Sequence, residues 1–280
     1  MNKLLIVDGH NLLFQMFFGM PARIVNKDGK AIQGTLGFTG ALLKIIKMTK
    51  PTHVVVLFDG ESHNPRNELD ESYKANRVDY DSVPEEENPF TQLNDVYKAL
   101  DFLGIKHCET TVCETDDVIA AYALKCGIDN EIVISSFDSD FFQLITENVR
   151  VLRYRGEGSL IYDIEAFKAK FGIMPELYAD YKSLTGDTAD NIKGADKIGP
   201  KTAAALVNEF GALENIILKA EKITKPSVKK SVIENTDRLR LNYKLIKLCD
   251  CADLPFCLEE LEYTYNGTTT NEVLIGIGLK

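Results

Sequence analysis

The side chains best placed to do chemistry in this 280-residue chain are carboxylates. Asp8 follows the apolar run Leu4 to Val7, and Asp59 follows Val54 to Phe58. Asp138 follows Ile132 to Ile134 after Ser135, Ser136 and Phe137. Glu114, Asp116 and Asp117 crowd into four residues, Asp138 and Asp140 form Asp-x-Asp, and Asp187 and Asp190 stand three apart, close enough to share one face of a helical turn. A single aspartate after a strand serves as a turn residue or helix N-cap, and acids in a first turn answer the helix dipole. Three strand ends and three acids at one helix start exceed what capping requires. Carboxylates drawn together without cations repel one another, and the relief is a raised pKa or a bound metal ion. Hard oxygen donors select Mg²⁺ or Mn²⁺, and two such ions roughly 4 Å apart activate water and stabilise both the attacking and leaving oxygens of a phosphodiester. Mg²⁺ keeps much of its water shell, so some of the acids would hold water rather than metal. Only four histidines are present (His10, His53, His63, His107), which argues against a zinc hydrolase.

The elements that must position these acids follow from periodicity. Continuous runs of four or five aliphatic residues suit strands buried on both faces of a parallel sheet, each ending at an aspartate. Helical patterns lie between them at residues 34–49, 91–103 and 115–126, the last closed by Gly127 as a left-handed C-terminal glycine. Alternating strand and helix signals predict an α/β fold, in which ligands bind beyond the carboxyl ends of the strands. Residues 61–90 break the pattern with Pro65, Pro84, Pro89 and the run Glu85-Glu86-Glu87, as a functional lid or long loop would. From about residue 175 the pattern is helical, with glycine turns at Gly186, Gly194, Gly199 and Gly211. The expected organisation is an α/β nuclease-like domain over 1–172, a helical subdomain over 173–250, and a tail over 251–280 packed on the core.

Bulk composition narrows the class. A 45% apolar, 26% charged chain is an ordinary globular one, and no run of about 18 apolar residues marks a membrane helix. Asp8 breaks the apolar run Leu4 to Val7 after four residues, before it reaches the length of a signal peptide, so a cytoplasmic, nucleoid-associated location is expected. Six cysteines are scattered; Cys249, Cys251 and Cys257 have no nearby histidine, and reduced, partly buried thiols are expected. The net charge of −10 looks hostile to nucleic acid, but setting aside the nine acids named above leaves 33 acidic against 32 basic residues. Outside the proposed site the chain is nearly neutral, and DNA is not excluded.

The sequence resembles the bacterial and phage 5′-nucleases, the flap endonuclease group that includes the 5′–3′ exonuclease domain of bacterial DNA polymerase I. The matching pieces are Leu5-Ile-Val-Asp-Gly9, Leu57-Phe-Asp-Gly60, Tyr73-Lys-Ala-Asn-Arg77, Glu114-Thr-Asp-Asp117, Asp138-Ser-Asp140, Thr185-Gly-Asp-Thr-Ala-Asp190 and Ile198-Gly-Pro-Lys-Thr-Ala203. They occur in the family's order over residues 3–250, and the ordered set is specific where any one piece is weak. The resemblance implies that Asp8, Asp59, Glu114, Asp116, Asp117, Asp138, Asp140, Asp187 and Asp190 hold the metals, and that residues 65–90 form a helical arch for a 5′ single strand. It implies that Lys74 and Arg77 face the scissile phosphate, that Tyr73 stacks on a base near the cut, and that Arg66 contacts DNA. Gly194 to Ala203 nearly spells a phosphate-binding loop, but Pro200 stands between Gly199 and Lys201 and breaks the motif. A helix–hairpin–helix fits better, similar to the family's motif that holds K⁺ through hairpin carbonyls and grips duplex DNA. Gly194, Gly199 and Thr202 would let backbone amides meet a phosphate, with Lys193, Lys197 and Lys201 adding charge.

Departures from the family pattern are Gln15, where many relatives carry arginine, Asn67, which replaces a frequent histidine, and a loose match over 78–90. No polymerase segment follows in the sequence, so a stand-alone monomeric nuclease is expected, acting on 5′ flaps, forks and nicked duplex, RNA-primed strands included. The competing readings are a ribonuclease of the PIN type, which shares the acidic sheet-end site, and a non-catalytic helix–hairpin–helix DNA-binding protein. The first is generally smaller and needs no hairpin; the second has no use for nine converging acids. A phosphatase of the haloacid dehalogenase type is suggested by Asp138-x-Asp140 alone.

Overall fold

The computed structural model describes residues 2–60, 65–111, 113–250 and 252–280. The expected strands appear as β1 (Lys3–Asp8), β2 (His53–Asp59) and β4 (Glu131–Ser135), joined by β3 (Lys106–Thr110), β5 (Val149–Arg153) and β6 (Leu160–Tyr162). They form one sheet in the order β3-β2-β1-β4-β5-β6, with the first five strands parallel and β6 antiparallel to β5. The chain runs outward from β1 through β2 to β3, then returns to lay β4 on the other side of β1. The crevice between the carboxyl ends of β1 and β4 is therefore the point where strand order reverses, the preferred ligand site of such sheets.

The apolar runs are continuous because each strand feeds two cores. Leu4, Ile6, Val55 and Leu57 point to one face, while Leu5, Val7, Val54, Val56 and Phe58 point to the other. Leu4 to Val7 are fully buried. Burial of each such side chain stabilises the fold by about 1.5–3 kcal/mol, which ties the sheet ends firmly in place. On the second face lie α1 (Gly9–Gly19), α2 (Gln33–Thr49) and, after α3 (Pro65–Leu69), α4 (Leu93–Leu103). On the first face lie α5 (Thr115–Cys126) and α6 (Ile164–Phe171). The predicted boundaries at 34–49 and 115–126 agree with α2 and α5, and 91–103 is α4 preceded by a 3₁₀ turn at Pro89–Gln92.

Gly127 does end α5, but in a right-handed conformation rather than the expected left-handed one (φ −70°). Its small size serves close packing instead, since a Cβ there would come within 2.9 Å of Val149. The segment expected as a helical arch is helical only in pieces: α3, and single 3₁₀ turns at Tyr80–Ser82 and Glu85–Glu87. Its prolines interrupt any longer helix. The part of that segment at residues 61–64, His63 included, lies outside the described residues.

Beyond α6 come α7 (Tyr178–Thr185), a hairpin of β7 (Gly186–Asp187) and β8 (Ile192–Lys193), then α8 (Pro200–Phe210), α9 (Leu213–Leu218), α10 (Pro226–Glu234) and α11 (Thr236–Ile246). These helices continue the first core through Leu184, Ala203, Leu206, Val207, Ile216, Val232 and Leu239. The tail folds back: the Tyr263 amide donates to the Thr52 carbonyl (2.8 Å), and α12 (Thr270–Gly276) packs on α2 and α4. Cys108, Cys113, Cys126 and Cys257 are free thiols, as expected, but Cys249 is disulfide-bonded, which corrects the reduced reading for that residue. Cys251 lies outside the described residues. Among the described residues no helix is long and apolar enough to cross a membrane.

Candidate active site

Asp8 ends β1 and caps α1, where one carboxylate oxygen accepts from the Asn11 amide (3.1 Å). Its other oxygen accepts from the Ser136 hydroxyl (2.8 Å), which itself accepts from the Asp138 amide (3.0 Å). Asp138 in turn accepts from the Asp140 amide (2.7 Å). Asp138 is not the last residue of a strand, as the sequence suggested; β4 stops at Ser135, and the turn through buried Ser136 carries Asp138 into the crevice. Asp59 ends β2 and accepts from the Thr115 amide at the start of α5 (3.1 Å).

The acids at these ends feel one another. Burial, then the charge of Asp59, pushes Asp8 up to about 7. Burial and the neighbouring charges of Asp138, Asp59 and Asp8 push Asp116 well above the carboxylate range, against the pull of Lys74. Asp59 goes the other way: burial opposes its charge, but hydrogen bonds from His10 and Thr115 hold it below the usual range. Asp8, Asp59, Asp116 and Asp138 therefore share one space, in which Asp59 holds its charge while Asp8 and Asp116 resist ionisation. A divalent cation is what would let all of them carry charge together.

A second group adjoins the first. Asp140, Asp187 and Asp190 each offer an oxygen, all within 4.8 Å of one another. The sequence placed Asp187 and Asp190 at a helical turn; they sit instead on the β7–β8 hairpin, with Asp187 accepting from the Ala189 amide (3.0 Å). Burial raises Asp140 to about 7, and Asp190 is also raised, by burial first and then by Asp138 and Asp187. Lys182 of α7 is 4% exposed, and its ammonium bonds to both Asp140 and Asp187. Sequence reasoning missed Lys182, because a lysine five residues before Asp187 on a helix carries no signal until the helix is docked. It missed Ser136 and His10 for the same reason.

A third group separates from the other two. Arg66 of α3 is buried and grips Asp117 with both nitrogens (2.7 and 2.8 Å), while also bonding Glu114. Asp117 also accepts from the Cys249 amide (3.1 Å). Asp117 thus anchors Arg66, and Arg66 clamps α3 to α5. Glu114 is shared between Arg66 and Lys74, whose ammonium stands 2.5 Å from Glu114 and 3.7 Å from Asp116. Tyr73 is 6% exposed and packs with Ala179, Ile192, Leu245 and Ile246, so its ring is not presented to a base as expected. Tyr73 carries Lys74 instead, with the ammonium 4.9 Å above the ring. Lys74 itself has φ +56°, a left-handed conformation costing of order 1–3 kcal/mol, held by its amide donating to the Asp190 carbonyl (3.0 Å). Arg77, half exposed, bonds Asp190 (3.2 Å).

Below the acids, the hairpin leads through Gly194 into α8, which starts at Gly199 and Pro200. Gly186 (φ +78°) and Gly194 lie so close that a Cβ on Gly194 would come within 2.6 Å of the Gly186 amide. Lys193, Lys197 and Lys201 are exposed around this turn and Thr202 is half-buried at the start of α8, an arrangement suited to a phosphate backbone.

The description "5′-3′ exonuclease, N-terminal resolvase-like domain" matches residues 3–172, and "5′-3′ exonuclease, C-terminal SAM fold" matches residues 173–268. The chain belongs to the 5′-3′ exonuclease family. Within this family the 5′-3′ exonuclease of Aquifex aeolicus is 32% identical over 266 residues, 94% of this chain and 87% of that protein. The DNA polymerase I of Thermus thermophilus is 34% identical over 254 residues, 90% of this chain. This exonuclease-family chain spans only 29% of that polymerase and 25% of the one from Rhizobium leguminosarum. In fold it is similar to the bacteriophage T5 D15 flap endonuclease in a complex with DNA and metal ions, with a TM-score of 0.71 at 24% identity, covering 87% of this chain and 88% of that one. It is also similar to the catalytic core of Rad2 with DNA substrate, with a TM-score of 0.58 at 17% identity, covering 99% and 91%.

Proposed function

We propose that the chain is a metal-dependent, structure-specific 5′-nuclease that hydrolyses phosphodiester bonds in 5′ flaps, forks and nicked or 5′-ended DNA. The observation that carries this reading is the meeting of Asp8, Asp59, Asp116 and Asp138 with Asp140, Asp187 and Asp190 at the carboxyl edge of the sheet. Their donor set is all carboxylate and fits Mg²⁺ or Mn²⁺. Such ions, two in number on this reading, supply Lewis acidity and a more acidic water when bound. Asp8, Asp116 and Asp138 would hold one, with Asp59 beside them; Asp140, Asp187 and Asp190 would hold the other. Glu114 would orient Lys74 from one side of the first group.

Lys74 and Arg77 reach across the acids and would neutralise charge developing on the scissile phosphate. Exposed Lys193, Lys197 and Lys201, with Gly194, Gly199 and Thr202, would fix the duplex by its backbone and read no sequence, with K⁺ as the cation of the hairpin carbonyls. Cleavage would leave a 5′-phosphate and a 3′-hydroxyl, as primer removal and repair of displaced strands require, and the unit would act as a monomer in the cytoplasm. A 5′-labelled flap substrate incubated with Mg²⁺ or with EDTA tests the whole reading. Product in the Mg²⁺ lane alone is expected; equal signals in both lanes refute it.

A further inference from the structure

A strongly basic stretch lies beyond the hairpin. Over residues 219–230, Lys219, Lys222, Lys225, Lys229 and Lys230 stand against a single acid, Glu221, in a chain whose net charge is −10. The stretch forms the 3₁₀ turn Ala220–Lys222, the loop to Pro226 and the first half of α10. Between that loop and α10 lies a groove of about 380 Å³, within the size range of small-ligand and side-chain pockets. Its apolar surface comes from Ile223, Pro226 and Ile233; Ile223 is buried, whereas Ile233 is 46% exposed. Thr224, Lys229 and Lys230 rim the groove, and Glu234 closes one end.

Helix periodicity sets this groove apart from the hairpin. Val228, Ser231 and Val232 form the buried face of α10, and the Ser231 hydroxyl donates to the Asp196 carbonyl in the hairpin turn. Pro226, Lys229 and Ile233 follow at three- and four-residue steps on the other side of the helix, so the groove faces away from that turn. The charge around it is largely unspent. Lys229 pairs with Glu221 (3.0 Å) and Lys230 with Glu234 (3.6 Å), both through exposed carboxylates that hold a lysine only weakly. Among the described residues Lys219, Lys222 and Lys225 have no ion-pair partner. The start of α10 adds to the positive field, since it begins at Pro226 with no side-chain cap and no acid in its first turn. A phosphate backbone would use the lysines and leave the apolar floor uncovered. An acidic peptide carrying a bulky apolar side chain uses both.

We propose that this groove docks an acidic segment of a partner protein, with one bulky aliphatic or aromatic side chain seated on Ile223, Pro226 and Ile233 and the flanking carboxylates on the surrounding lysines. A partner held here would leave the acids and the hairpin clear, because the groove opens on the opposite side of α10. The site is a tether, and it stands whether or not the nuclease reading holds.

The test uses the full chain with labelled isoleucine methyl groups, those of Ile223 and Ile233 being assigned through Ile→Val variants. The probe is the amidated peptide Asp-Asp-Asp-Asp-Leu-Phe, titrated at low salt. It should shift the Ile223 and Ile233 methyl signals saturably, with a dissociation constant of about 100 µM or tighter that weakens as salt is added. A peptide of aspartates alone should bind at least about ten-fold more weakly, for want of the apolar anchor. Ile233→Asp, or Ile233→Ser as the milder change, should weaken the probe about ten-fold, as should Lys229→Glu with Lys230→Glu. Duplex DNA should leave the Ile223 and Ile233 signals in place, and flap cleavage by the Ile233 variants should match that of the native chain. No saturable shift at these two methyl groups would overturn the proposal, and so would equal binding of the all-aspartate peptide. Duplex DNA that shifts the same methyl groups and displaces the probe would overturn it as well, by making the lysines part of a DNA track.

Discussion

Replacing Lys182 by methionine tests the claim that the acids need a cation to be tolerable. Methionine keeps most of the length and apolar stem and deletes the charge. Lys182 is buried and bonds Asp140 and Asp187, so its loss strands two carboxylates. Removing one member of a buried ion pair costs about 3–5 kcal/mol. The size of the loss depends on pH, because Asp140 already sits at about 7 and would rise further without its partner. Below that value Asp140 can remain neutral and the cost should lie near 3 kcal/mol; at pH 8 it should approach 5 kcal/mol. At roughly 2–4 °C per kcal/mol for a chain of this size, the melting temperature should fall by about 6–20 °C. Thermal melts in EDTA at pH 6 and pH 8 read this directly. Mg²⁺ should then stabilise Lys182→Met more than the native chain, because the ion would no longer compete with an ammonium. A variant melting within about 2 °C of the native chain in EDTA at both pH values would refute the reasoning. Equal stabilisation of the two by Mg²⁺ would refute it as well.

Three further outcomes are expected. Asp187→Ala should lower cleavage of a flap substrate by at least about 100-fold while the dissociation constant moves less than about three-fold, since positioning by the hairpin lysines is left intact; retained turnover would remove Asp187 from the metal site. Lys74→Ala should slow the single-turnover rate by about 10–100-fold, the effect of losing one charge-stabilising donor; an unchanged rate would reduce Lys74 to a structural partner of Glu114. In EDTA the native chain should lose stability as pH rises from about 4 to about 7, because Asp8 and Asp140 keep protons up to about 7 when folded and release them near 4 when unfolded. Melts that instead rise across that window would show that these carboxyls are not crowded.

Much of the architecture was legible because the physics behind it is local. Uninterrupted runs such as Leu4 to Val7 can satisfy only a strand covered on both faces, and the sheet is indeed clothed by helices on both sides. The ends of β1, β2 and α5 could be read from Asp8, Asp59 and the acids after Glu114, since a charged group stops an apolar run wherever it falls. The arch segment was less legible. Its prolines announce breaks, but the short pieces they leave are held by partners far along the chain, among them Lys247, whose carbonyl accepts from Arg66 (3.3 Å).

By itself, then, the sequence determined which side chains are acidic, which strands deliver them to the sheet edge, and how the ordered motifs relate to a nuclease family. Only the tertiary structure decided how those acids divide: Asp117 held by Arg66, Asp140 and Asp187 sharing Lys182, and Asp8, Asp59, Asp116 and Asp138 facing one another. It also turned Tyr73 inward. The reason is physical. Residue type fixes the charge a position can carry, whereas pairing depends on separations of a few ångströms between segments as distant as Arg66 and Asp117, and those separations exist only after the helices have docked.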